Sequence, residues 1–133
     1  MIMNDSERDE LIQSALEAQK RAFCPYSNFP VGAALRTANG RIYQGVNVEN
    51  ASYGLTICAE RVAASAAVAN GEREFTAIAV VSRGGVSPCG ACRQFLAEFN
   101  PNLPIVMVDS LKPSEGHVAT LDRLLPSRFK GPV

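Results

Sequence analysis

The placement of its cysteines constrains the fold of this chain more than any other feature. Cys58-Ala59-Glu60 and Pro88-Cys89-Gly90-Ala91-Cys92 each stand where a helix begins, and the apolar run from Phe75 to Ser82 lies between them. Such a run suits a central strand buried on both faces. For the three thiols to meet, two helix starts must face each other. Structural zinc sites are usually closed by four protein ligands, whereas catalytic ones keep three and leave a position open. Three thiols beside a glutamate therefore point to metal-assisted hydrolysis. A closed structural zinc site, simple buried thiols and a disulfide framework are the competing readings.

The rest of the chain supplies the frame. Asp9 to Ala22 places Leu11, Ile12, Ala15 and Leu16 at helical spacing, and Cys24-Pro25-Tyr26-Ser27 ends that helix. Val31 to Thr37 and Arg41 to Asn47 read as strands joined at Ala38-Asn39-Gly40, where Asn-Gly supplies the positive backbone angles of a tight hairpin. Cys58 to Ala69 is an alanine-rich helix, with Asn70-Gly71 as its stop. Its stripe of small residues at 63–67 reads first as a packing surface and then as a subunit interface. Ser87 is expected to cap the third helix, with Pro88 at its first position, and the helix to run to about Phe99. Strands follow at Ile105 to Val108 and His117 to Leu121, and the tail from Leu124 reads as irregular. This alternation predicts one domain over residues 1–133, an α/β fold built as a three-layer α/β/α sandwich with a mixed five-stranded sheet.

Composition removes other classes. Thirteen basic and thirteen acidic residues cancel, leaving no broad positive field for a nucleic-acid backbone. Usage of 47% apolar and 20% charged residues argues against extended disorder. The start, Met1 to Glu7, lacks a basic region followed by an apolar stretch, and no apolar run reaches membrane-spanning length. The expectation is a cytoplasmic protein with a small, nearly neutral substrate, no nucleic acid and no membrane. In a reducing compartment the clustered thiols favour metal over disulfide. Cys24 reads as a small buried side chain, and His117, the lone histidine, as a surface strand residue.

Helix N-termini carry partial positive charge, which favours thiolate at Cys58, Cys89 and Cys92. Zinc held there lowers the pKa of water, and Glu60, at the open end of a first turn, can move the proton. Three thiolates around a dication leave one excess negative charge. Arg61, three residues after Cys58, lies on the same helical side, where its guanidinium can hydrogen-bond a ligating sulfur.

With these clusters in place the sequence resembles the small homotetrameric zinc-dependent cytidine deaminases, of the cytidine/deoxycytidylate deaminase superfamily. Cys24 to Ala34 resembles that family's first-strand motif, and Asn47-Val48-Glu49-Asn50-Ala51-Ser52-Tyr53 its sugar-binding motif. The similarity extends from the first helix to Phe129. It implies one Zn2+ per subunit on Cys58, Cys89 and Cys92, with Glu60 as the catalytic proton carrier. Phe29 would pack on the nucleoside, and Asn47 and Glu49 would hold the ribose 3′-hydroxyl. Backbone groups near Ala59 and Ser87 would read the pyrimidine edge. Ala51 and Tyr53 would approach a sugar in another subunit, and Phe129 would stack on a neighbour's base. The implied activity is hydrolysis of cytidine and deoxycytidine to uridine and deoxyuridine plus ammonia, in pyrimidine salvage. Deamination of a cytosine-nucleoside antibiotic of the blasticidin S type is the alternative, followed by a noncatalytic zinc-binding interaction module.

Overall fold

Consecutive residues along the central strands are buried, so the sheet is covered from both sides. In a computed structural model, which describes residues 3–132, five strands form one sheet: β1 (Gly32–Thr37), β2 (Ile42–Val46), β3 (Phe75–Ser82), β4 (Pro104–Asp109) and β5 (His117–Thr120). Met1 and Ile2, which belong to the start read above as lacking a secretory pattern, and Val133 lie outside these residues. The strand order is β2-β1-β3-β4-β5. Only β3 and β4 run parallel, with Ile78 opposite Ile105, and the other pairings are antiparallel. The sheet is mixed, as expected.

Helix α1 (Asp5–Gln19) covers one face through Leu11, Ile12 and Ala15 against Ala34, Ala79, Val81, Val106 and Val108. Helices α2 (Ala59–Ala69), α3 (Gly90–Ala97) and the short α4 (Leu121–Leu124) lie on the other, against Ala33, Leu35, Ile78, Val80 and Ile105. Three layers result. Ala63, Ala64 and Ala67 are fully buried within the chain, so the alanine stripe packs α2 on its own sheet.

Two glycines set how closely the layers approach. A Cβ on Gly32 would lie 2.1 Å from the Ala15 carbonyl oxygen of α1, and one on Gly45 would lie 2.2 Å from the Ala59 carbonyl oxygen of α2. Both helices rest backbone-to-backbone on the sheet. That is possible only where a strand residue has no side chain.

Several boundaries differ from expectation. Helix α1 starts earlier, because Asn4 and Glu7 form a reciprocal capping box, and it ends at Gln19. Helix α3 starts later: Cys89 is its N-cap, its sulfur accepting the Cys92 N–H at 3.5 Å, so Ser87 and Pro88 precede the helix. The β1–β2 turn has positive φ at Gly40 but not at Asn39, whose side-chain oxygen accepts the Arg41 N–H instead. Strand β5 stops at Thr120, so Leu121, expected to end that strand, opens α4, and Leu124, expected to begin an irregular tail, closes it.

Candidate metal centre

Helices α2 and α3 both begin on the same side of the sheet, and their first residues meet. The sulfurs of Cys58, Cys89 and Cys92 lie within 4.8 Å of one another, with Cys58 and Cys89 3.8 Å apart. A tetrahedron with metal–sulfur bonds of about 2.3 Å has an edge of about 3.8 Å, so the donor set fits zinc in both chemistry and spacing. All four cysteines are free thiols, and Cys24 is half-buried and outside the cluster.

Protonation within the cluster is uneven. The Cys58 thiol is pulled down to about 5, first by a hydrogen bond from Cys92 and then by the Arg61 guanidinium. Cys92, fully buried, is pushed well up by that same hydrogen bond and by burial. Thus Cys58 is the ready thiolate, and its partner Cys92 is held towards the thiol form. Arg61 Nη2 donates to Cys58 Sγ at 3.6 Å, as its spacing predicts.

Glu60 is only 4% exposed, and burial, the dominant cause, pushes its carboxyl up to about 7. A carboxyl poised there can both take and return a proton near neutral pH. It lines a cavity of about 190 Å³ together with Asn47, Thr56, Cys58, Ala59, Ser87 and Cys89, while Val31, Val80 and Val86 supply apolar walls.

A second cavity of about 250 Å³ shares Thr56 with the first and is lined by Tyr26, Ser27, Glu49, Asn50 and Tyr53. Glu49 accepts the backbone N–H groups of Tyr26 and Ser27 and the Ser27 hydroxyl, and this hydroxyl is the main reason its pKa lies below the ordinary value. Asn47, just past β2, accepts the Val31 N–H and donates to the Phe29 carbonyl oxygen. Its carboxamide keeps one N–H and one lone pair for a ligand.

The remaining expected residues spread outward. The Phe29 ring lies 5.6 Å from the Arg83 guanidinium. Ala51 is exposed, and so is Tyr53, whose ring meets Tyr26 edge-on. Phe129, 73% exposed, adjoins Gln94 of α3 and Glu98 just past its end and lines neither cavity. His117 is exposed on β5, as expected. Sequence reasoning missed Ser27, the main partner of Glu49, although a serine before Asn28, which has positive φ, is a turn signal. It also missed Arg83 and Arg93, which no spacing rule singled out.

The family model for the cytidine and deoxycytidylate deaminase zinc-binding region matches residues 5–108. The chain belongs to this deaminase family. Within it, the chain is 48% identical to the cytidine deaminase of Sporosarcina psychrophila over 124 residues, covering 91% of this chain and 90% of that one. The crystal structure of cytidine deaminase from Burkholderia pseudomallei matches with a TM-score of 0.87 at 45% identity, covering 96% of this chain and all of that one. Blasticidin-S deaminase of Bacillus cereus is more distant, at 31% identity over 95% of each chain. Zinc is therefore the metal expected of the deaminase fold, and the three sulfurs fit it.

Proposed function

We propose that this protein is a cytidine deaminase, hydrolysing cytidine and deoxycytidine to uridine and deoxyuridine with release of ammonia. The observation that carries the reading is the buried Glu60 carboxyl in one cavity with three zinc-spaced sulfurs. Zinc bound by Cys58, Cys89 and Cys92 supplies the Lewis acidity that makes water nucleophilic near neutral pH. Glu60 takes one proton of the attacking water and delivers it to ring N3; it then takes the second, from the hydroxyl now on C4, and passes it to the amine, so that the C4 carbonyl forms as the C4–N bond breaks and ammonia leaves. Arg61 offsets the third thiolate's charge through Cys58. The apolar walls Val31, Val80 and Val86 exclude bulk solvent, and backbone groups at Ala59 and Ser87 read the pyrimidine edge.

Asn47, from the first cavity, and Glu49, from the larger cavity that adjoins it, hold the ribose. Phe29 packs against the nucleoside from the Asn47 side. A homotetramer in which Ala51, Tyr53 and Phe129 complete neighbouring sites agrees with the exposure of Phe23, Tyr53, Leu55 and Phe129. Salvage of pyrimidine nucleosides in the cytoplasm is the setting that suits this substrate; among the described residues no helix is long and apolar enough to cross a membrane. A noncatalytic zinc module leaves the burial of Glu60 unexplained, and the antibiotic reading is supported only by the more distant relative.

Zinc analysis combined with an ammonia-release assay tests this. Turnover of cytidine and deoxycytidine well above that of blasticidin S is expected. Metal-loaded protein inert towards every cytosine nucleoside would overturn the reading. Light scattering at working concentration should report four chains per particle.

A further inference from the structure

Arg93 lies one turn into α3, its backbone N–H bonded to the Cys89 carbonyl oxygen at 3.0 Å. Its side chain turns back rather than outward. Nε donates to the Pro88 carbonyl oxygen at 2.7 Å, Nη1 to the Leu124 carbonyl oxygen at 2.6 Å, and Nη2 to the Ser87 hydroxyl. Among the described residues it makes no ion pair with a carboxylate. A guanidinium presents rigid, planar, charged donors, and here three of them join two separate stretches of chain. One stretch is Ser87-Pro88, in which Ser87 forms part of the wall of the Glu60 cavity, immediately before the ligand Cys89. The other opens the C-terminal segment that carries Phe129, whose carbonyl oxygen is held at 3.0 Å by Gln94, the next residue on α3.

We propose that Arg93 is a positioning residue that fixes the Ser87-Pro88 stretch and ties it to the C-terminal segment 124–129. The proposal rests on the deaminase reading for its kinetic arm. A wall that contacts substrate equally in ground and transition states affects KM rather than kcat. Lysine keeps the charge but not the fork, so it replaces arginine poorly at such a site.

The test compares zinc-loaded wild type, Arg93→Lys, Arg93→Ala, Ser87→Ala and the Ser87→Ala/Arg93→Ala double variant. Both Arg93 variants should raise KM for cytidine about tenfold or more, with kcat changed less than about threefold and zinc content at one per chain. The double variant should be no worse than Arg93→Ala, because the Ser87 hydroxyl acts through Arg93, whose loss already removes that contact. Trypsin should cut after Arg128 and Lys130 faster in both Arg93 variants than in Ser87→Ala. If Arg93→Ala does not fold, Arg93→Lys carries the comparison alone. An unchanged KM in Arg93→Lys, additive effects in the double variant, or an unaltered tryptic rate would each overturn the proposal. A wild type that releases no ammonia sinks the deaminase reading instead, and the tryptic rates still decide the link between wall and segment.

Discussion

Replacing Gly45 by alanine should uncouple the metal centre without touching a ligand. The added Cβ would stand 2.2 Å from the Ala59 carbonyl oxygen and 2.5 Å from the Ala63 nitrogen. Ordinary contact is about 3.5 Å, so α2 must retreat by roughly 1 Å. Neither obstacle is a flexible side chain. Overpacking of this kind costs about 3 kcal/mol, which lowers Tm by roughly 10 °C for a chain of this size. Cys58 immediately precedes α2, and its sulfur must stay 3.8 Å from that of Cys89. Metal sites tolerate about 0.2 Å, so zinc affinity should fall about 10- to 100-fold. Gly32→Ala is the matched control: its Cβ meets the Ala15 carbonyl oxygen at 2.1 Å, but on α1, across the sheet from the cysteines. Calorimetry and the rate of zinc transfer to a chromogenic chelator read the two effects. Both variants should melt earlier, and only Gly45→Ala should surrender zinc faster. Equal zinc loss in both, or wild-type retention in Gly45→Ala, would refute the reasoning.

Glu60→Gln should retain zinc and bind cytidine while ammonia release drops about 10³-fold, the range typical of a lost proton carrier; near-normal turnover would remove Glu60 from the chemistry. Arg61→Ala should keep stoichiometric zinc yet lose roughly 10- to 100-fold in kcat, since an outer hydrogen bond to a ligand tunes the metal. An undiminished rate in the metal-loaded variant would show that the excess thiolate charge needs no relief. The metal-free protein should hold one thiolate into mildly acidic pH. Its Cys58 thiol is depressed from 9.0 to about 5, so the contribution of the thiolate is complete above the unfolded value and is lost as pH falls through about 5. Thiolate absorbance of the metal-free protein, read against Cys58→Ser, should fall near that value, and a loss already complete at pH 8 would contradict the assignment of Cys58 as the leading thiolate.

Much of this was legible because periodicity and ligand spacing are local signals. The uninterrupted run Phe75 to Ser82 could only be a central strand, and the structure gives those bounds. Cys58 and Arg61 at helical spacing do meet. What escaped the sequence was set by tertiary contacts. Serine followed by proline is the usual grammar of a helix start, yet α3 begins two residues later, where the Cys89 sulfur replaces the Ser87 oxygen as cap. The Ser87 hydroxyl is engaged by Arg93 from the following helix, a partner no local rule names. The capping box of Asn4 and Glu7 was, in contrast, written plainly in the sequence and moved the start of α1 ahead of its apolar stripe. Asn47 and Glu49 share a side as alternation implies, but their backbone partners at residues 26–31 belong to a distant loop.

The central strand lies, in chain order, between the first thiol and the other two. β3 lies beside β1 in the sheet, with Cys58 leading into α2 before it and Cys89 and Cys92 following it, so placing this strand is what brings the two helix starts together. A nascent chain that has emerged only as far as Ser82 holds one ligand and no site. The full ligand set therefore exists only after the central strand has been made, and a complete metal position marks that the two halves of the chain on either side of it have come together.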